Sequence, residues 1–178
     1  MSAQNAELRR HTDTNGVWQT LLDVYADVRA PLLHLPHYAV DAYAERLARH
    51  AAEPGFEVVI AYAADQAVGY AYCNTVDPGN RWWKRMDPPL PDHLTTKPAA
   101  ALKEIMVRTP WRGTGTARRI HDELLAQRRE HYVSLLVNPT AGEGKVQRLY
   151  ETWGYQTLSS QTPSPGSPPL AAMLRAIR

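Results

Sequence analysis

KEIMVRTPWRGTGTARRIHDELLAQ, running from Lys103 to Gln127, passes from strand to basic turn to helix. The strand ends at Met106-Val107, and Arg112-Gly113-Thr114-Gly115-Thr116-Ala117 makes the turn. Ala117, Ile120, His121, Leu124, Leu125 and Arg128 then recur at helical spacing, four of the six apolar, as one buried helix face requires. The first turn of a helix presents free backbone N–H groups and a partial positive charge. An anion reaches them only where no side chain intervenes. Gly113 and Gly115 remove the obstacle, Thr114 and Thr116 bring hydroxyls, and Arg112 adds a fixed positive charge. The turn therefore suits phosphate or pyrophosphate.

Two common phosphate loops are ruled out. A Walker-type loop needs GxxxxGK[ST], but Gly144-Lys145 is followed by Val146. A dinucleotide fingerprint needs GxGxxG/A, and the third position after Gly113 and Gly115 is Arg118. What stays open is an ordinary glycine loop or the pattern Arg112-x-x-Gly115-x-Ala117, which the rest of the chain must decide between.

The totals narrow the classes. The chain has 178 residues, 44% hydrophobic and 21% charged, which fits a single domain spanning 1–178 around a real core. No apolar run approaches the ~20 residues that span a bilayer, so no membrane partner is expected. The opening MSAQNAELRRHTD has no apolar core of a secretory leader, and the single cysteine, Cys73, can form neither an internal disulfide nor a CxxC site. A cytoplasmic location follows, with Cys73 read as a buried filler. A net charge of +2 is too mild to argue for nucleic acid. His34 and His37 lie around Pro36 with no further ligand pattern, so no metal is expected.

Taken in order, Glu7 to Thr12 reads as a strand. Trp18, Leu21, Leu22 and Tyr25 mark a helix that Pro31 and Pro36 interrupt, and Ala44, Leu47, Ala48 and Ala51 mark a second that Pro54-Gly55 stops. Phe56, Val58, Ile60 and Tyr62 alternate in one strand. Val68, Tyr70 and Tyr72 alternate in the next, and Ala64–Ala67 joins them as an antiparallel hairpin. Asp77 to Pro98 breaks the pattern: this proline-rich excursion carries Trp82-Trp83 and is either a pinned surface loop or a substrate lid. After the glycine turn and helix, YVSLLVNP is a strand. Val146, Leu149, Tyr150 and Trp153 mark a helix capped by Gly154. YQTLSS is a strand, and LAAMLRAI reads as a final strand, although its composition also accepts helix.

This order resembles the GNAT superfamily of acyl-CoA N-acyltransferases along nearly the whole chain. Two anchors carry the resemblance. EIMVRTPWRGTGTARRIHDELL is similar to the family's acyl-CoA motif, with Arg112, Gly115 and Ala117 at its fixed positions; VNPTAGEGKVQRLYETWGY is similar to its strand–loop–helix ending in a tyrosine and a Gly-aromatic pair. The resemblance implies an α/β GNAT fold: a mixed, mostly antiparallel central sheet of about seven strands flanked by about four helices. It also implies acetyl-CoA as co-substrate. Met106 and Val107 would offer backbone groups to the pantetheine arm, and Arg112 through Ala117 would hold the pyrophosphate. The family often has an asparagine seven residues before its motif tyrosine. Here that position is Glu143, and Asn138 stands earlier as the candidate cofactor contact.

The expected chemistry is direct transfer of an acetyl group to a primary amine. An alkyl ammonium of pKa ~10.4 costs roughly 4.6 kcal/mol to deprotonate at pH 7, which a general base helps to meet. Glu104, on the same strand face as Leu102 and Met106, is the candidate base, with a pKa raised by apolar neighbours. Tyr150 is the candidate acid, by resemblance to the family's motif tyrosine. His34, Tyr38, Trp82 and Trp83 are the candidate contacts of a small-molecule acceptor. Two alternatives keep the fold. One is an aminoacyltransferase drawing on aminoacyl-tRNA through Arg118, Arg119, Arg128 and Arg129; the other is a non-catalytic acyl-CoA-binding module. Homodimers are common in the family, but no residue here marks one.

Overall fold

A computed structural model describes residues 6–178; residues 1–5, the start of the stretch read as carrying no secretory leader, lie outside the described residues. The chain runs β1 (Glu7–His11), α1 (Trp18–Val28), α2 (Val40–Ala51), β2 (Glu57–Ala63), β3 (Gln66–Val76), α3 (Arg81–Lys84), β4 (Met86–Asp87), α4 (Asp92–Thr95) and β5 (Ala99–Val107). It continues with α5 (Thr116–Ala126), β6 (Tyr132–Val137), α6 (Lys145–Thr152), β7 (Gln156–Gln161) and β8 (Leu170–Ala176). The fold is α/β with a mixed sheet. Among the described residues it has eight strands where about seven were expected, because Met86–Asp87 inside the proline-rich excursion pairs antiparallel with β7. The excursion also contributes the short helices α3 and α4, so Asp77–Pro98 is more structured than its prolines suggested.

The chain divides into two compact units: residues 1–74 with 103–127, and residues 75–102 with 128–178. Strand β5 gives its first half to the second unit and its second half to the first.

In the first unit the strand order is β1-β2-β3-β5. Strands β1 and β2 are antiparallel, and β2 and β3 form the expected hairpin, with Ala63 opposite Gln66. The two-residue turn holds Ala64 at φ 51°, a left-handed conformation for a residue with a Cβ. Helices α1 and α2 cover one sheet face through Leu21, Val24, Tyr25, Tyr43 and Leu47, packed on Val58, Ile60, Tyr70, Tyr72 and Met106. Of the expected Ala44–Leu47–Ala48–Ala51 face of α2, Leu47 is buried and Ala51 packs against the core, but Ala48 is exposed and Tyr43 is buried in its place: the large ring, with more apolar area to remove from water, turns the helix toward itself. Strand β2 is buried on both faces, since Val59 and Ala61 are as inaccessible as Val58 and Ile60, and α5 lies against β2 and β1. Arg10 of β1 ties these layers together. Its Nη1 meets Glu57 Oε2 at 2.5 Å, and its guanidinium donates to the carbonyls of Glu123 and Leu124 at the end of α5.

In the second unit the order is β5-β6-β8-β7-β4. Strands β5 and β6 are parallel; β6–β8, β8–β7 and β7–β4 are antiparallel. Val76, Trp83, Met86, Leu94, Ala99, Ala101, Ala172 and Leu174 form the core. The terminal segment that accepted either state is strand β8, held on both edges. Helix α6 corrects a second stripe: Tyr150 and Trp153 are buried, but Val146 and Leu149 are exposed, so only the C-terminal half of the expected face is covered.

Candidate active site

The glycine turn is built as an anion cradle. Gly113 stands at φ 71° and Gly115 at φ 85°, both left-handed, where residues with side chains are strained. A Cβ at Gly113 would meet no heavy atom within 4 Å, so φ rather than crowding demands glycine there. Gly115 caps α5, and its carbonyl accepts from Arg119 N at 3.1 Å, which leaves the amides of the first helical turn without intrahelical acceptors. Arg112 is exposed beside them.

The two threonines act differently from expectation. Thr114 Oγ1 donates to Trp111 O at 2.7 Å and lies 2.8 Å from Thr116 Oγ1. A hydroxyl has one hydrogen, so Thr116 must donate to Thr114. Thr116 is fully buried, and both hydroxyl hydrogens are spent bracing the turn rather than facing an anion. Ala117 follows as a half-buried helical residue.

Met106 and Val107 are buried at the end of β5, and Arg108 N donates to Val68 O at 2.8 Å. The closeness of β3 to this strand end depends on Gly69. A Cβ there would lie 2.6 Å from Met106 O and 2.5 Å from Val107 Cγ1. Gly69 thereby fixes where the Met106 carbonyl sits, a role its place in a regular alternating strand does not advertise.

Glu104, on the same strand, keeps 19% of its side chain accessible, and burial raises its pKa above the usual carboxylate value. Arg29 and Arg46 act against that rise. Arg29 Nη2 is 3.6 Å from Glu104 Oε1, too long for a hydrogen bond but close enough for charge attraction. Desolvation prevails over both arginines. Around the carboxylate lies a tyrosine cluster: Tyr25, Tyr70 and Tyr72 were expected only as members of element faces, and Tyr43 was not singled out. Tyr25 and Tyr43 stack at 3.8 Å, and Tyr43 and Tyr70 share a hydroxyl–hydroxyl hydrogen bond of 2.5 Å. Burial holds the phenols of Tyr43, Tyr70 and Tyr72 well above their ordinary range, and Glu104 adds to the shift. His50 Nδ1 meets Tyr72 Oη at 3.0 Å; burial, then the charges of Lys103, Arg49 and Arg46, bring that imidazole down to about 4, so it is neutral at pH 7. Tyr38 lies under the Arg29 guanidinium at 5.7 Å, and its carbonyl accepts from Tyr25 Oη. His34 is exposed between the two short 3₁₀ turns that replace helix across Ala30–Tyr38.

The remaining candidates belong to the second unit. Tyr150 is buried on α6, edge-on to Trp153 and Tyr155 at 5.5 and 5.6 Å. The side-chain oxygen of Asn138 accepts from Thr140 N at 3.0 Å and Thr140 Oγ1 at 2.8 Å, so it shapes its own loop. That loop is irregular because Gly142 and Glu143 both take positive φ. Trp83 is a core residue. Trp82 is half-buried, donates from Nε1 to Ser134 Oγ at 3.0 Å, and accepts at its carbonyl from Gln161 Nε2 at 2.9 Å. The tryptophans thus anchor the excursion to its own unit.

Three of the four arginines offered to RNA under the tRNA alternative have protein partners: Arg118 with Asp122 at 2.7 Å, Arg119 with Ala6 O at 3.1 Å, and Arg128 with Glu130. Cys73 is buried. Among the described residues, no three His, Cys, Asp or Glu side chains group as a metal would need, and no helix is long and apolar enough to cross a membrane.

No protein-family model matches the chain, and no curated protein matches it. Solved structures do. An aminoglycoside 6′-acetyltransferase type Ii superposes with a TM-score of 0.67 at 17% identity over 97% of each chain. A GNAT-family protein from Desulfovibrio desulfuricans gives 0.66 at 18% identity over 97% of this chain and 99% of its own. An aminoglycoside 6′-N-acetyltransferase solved with coenzyme A gives 0.64 at 16% identity over 97% of each. At these identities the likeness concerns architecture, and that architecture is the GNAT acetyltransferase fold.

Proposed function

We propose that this chain is an N-acetyltransferase that uses acetyl-CoA to acylate the primary amine of a small molecule by direct transfer. The observation that carries the reading is one continuous stretch. A strand bearing a desolvated carboxylate, Glu104, leads into a turn with two left-handed glycines at the start of an eleven-residue helix.

In this reading the amides of Gly113 to Ala117, with Arg112, hold the donor's pyrophosphate. Backbone groups of Met106 and Val107 align its pantetheine arm, with Asn138 as a further contact. The bound donor supplies the activated acyl thioester. Glu104 takes a proton from the acceptor ammonium, and burial, by raising its pKa, makes it a stronger base than an exposed carboxylate. Tyr150 gives a proton to the departing sulfur. His34, Tyr38 and Trp82 contact the acceptor, and Trp83 supports Trp82 from the core.

The test is release of free thiol from acetyl-CoA in the presence of amines. Glu104→Gln and Tyr150→Phe should each lower kcat by about 10²-fold or more, while calorimetry still finds acetyl-CoA bound. Unchanged rates in both variants would remove the assigned roles. Binding without turnover by the wild-type chain would favour the acyl-CoA-binding module, and turnover only with charged tRNA would favour the aminoacyltransferase.

A further inference from the structure

The charges around Glu104 narrow the acceptor, on the premise that the acyltransfer reading holds. An amine that arrives as a bare cation meets the wrong sign. Arg29 stands 3.6 Å from the carboxylate, and Arg46 is anchored nearby through His37 O at 2.9 Å and Tyr25 Oη at 3.4 Å. Both charged groups that act on Glu104 are arginines. The neighbouring acid on α1, Asp27, is taken by Arg108 at 2.8 Å, and Lys103 faces away toward Glu53 at 3.7 Å. One carboxylate is thus set against two permanent positive charges.

Arg29 also has unspent hydrogen-bonding capacity. Its Nε is buried with no hydrogen-bond partner, and its approach to Glu104 is beyond hydrogen-bond length. About a third of the side chain is accessible, at 34%. A guanidinium with unused donors on a planar fork matches a carboxylate or phosphate. A buried donor without an acceptor is costly, which favours a ligand that supplies one.

We propose that the acceptor is an amine that carries its own anionic group, a carboxylate or phosphate, which Arg29 binds while the amino nitrogen rests on Glu104. The acceptor's two charges then lie antiparallel to the Arg29–Glu104 pair. That alignment is best when they are separated by about the same 3.6 Å, the span of one or two carbon atoms between nitrogen and acid. An α- or β-amino acid has that shape, and ethanolamine phosphate is a slightly longer version. A polycationic amine does not fit, although two of the fold's solved relatives are aminoglycoside acetyltransferases.

The test is steady-state thiol release with free amino acids against their methyl esters, ethanolamine phosphate against ethanolamine, and kanamycin as the polycation. The wild type should prefer the acid or the phosphate by about tenfold or more in kcat/KM, as expected for a charge-assisted pair. Arg29→Gln should erase the preference through KM, and Arg29→Lys should restore part of it. The carboxylate and phosphate pairs tell the two anion sources apart. Equal use of ester and acid, efficient use of kanamycin, a preference that survives Arg29→Gln, or no turnover of any probe by a chain that binds acetyl-CoA would overturn the proposal. Failure to bind acetyl-CoA at all, read separately by calorimetry, would instead remove the acyltransfer reading beneath it.

Discussion

Replacing Gly69 by alanine probes the close approach of β3 to the end of β5. The new Cβ would lie 2.5 Å from Val107 Cγ1 and 2.6 Å from Met106 O, with Val107 Cα at 3.0 Å. A valine methyl can rotate aside; a carbonyl within a strand cannot move without its ladder. Overpacking of this kind costs about 1–3 kcal/mol, against which alanine returns about 0.4–1 kcal/mol by restricting the unfolded chain. The net loss is about 1–2 kcal/mol, or a fall in Tm of about 2–8 °C for a chain of this size. The carbonyl displaced is the one proposed to align the donor, so acetyl-CoA affinity should fall with stability. Gly113→Ala separates the two effects: its Cβ meets nothing, but φ 71° is unfavourable, so it should weaken binding at the turn with little strand damage. Thermal melts and calorimetric titration of both variants check this. A Gly69→Ala protein that melts within a degree of wild type and binds acetyl-CoA equally well would refute the steric reasoning.

Further outcomes follow from the same contacts. Burial raises the Glu104 pKa, so the folded chain holds that proton more tightly than the unfolded chain. Its stabilising contribution is complete below the unfolded value of 4.5 and is lost as pH rises through the higher folded value. Denaturation midpoints across that window should therefore decline in wild type relative to Glu104→Gln, while acetyl transfer rises along the same limb. Thr116→Val should cost about 1 kcal/mol through the broken hydroxyl chain, with Thr116→Ser near wild type. If Thr114→Val instead lost acetyl-CoA affinity by the roughly 1.5–3 kcal/mol of a hydrogen bond to a charged group, the bracing role would be wrong. Arg10→Ala, which removes the ion pair with Glu57 and two hydrogen bonds to α5 carbonyls, should destabilise by about 2 kcal/mol in urea, less than a fully buried pair because 17% of the arginine is accessible. A loss below about 0.5 kcal/mol would show that α5 needs no such tie.

Much of the architecture was legible because its signals are local. Alternation in Val58–Tyr62 and Val68–Tyr72 gave the hairpin, and the paired glycines Gly113 and Gly115 marked the turn before α5. Helix faces were read less well where alanine and tyrosine compete, as in α2, or where an apolar stripe is only half covered, as at Val146 and Leu149. The two-residue strand β4 gave no sign, since a pair of residues has no periodicity to detect. At the candidate site, the strand and turn residues could be named because spacing and motif carry them. Arg29 and Arg46 could not, because they act on Glu104 from just beyond the end of α1 and from α2, distant in sequence. The commitment of the threonine hydroxyls is likewise a matter of geometry, which composition cannot express.

The tight connection at Ala64 has a practical consequence. Alanine at φ 51° forfeits about 1–2 kcal/mol that asparagine, more at ease there, recovers in part. Ala64→Asn lies outside the proposed chemistry and offers a reserve of folding free energy. Introduced first, it would let damaging changes at Gly69 or Arg10 be studied in a background robust enough to purify, so that lost activity is not mistaken for lost protein.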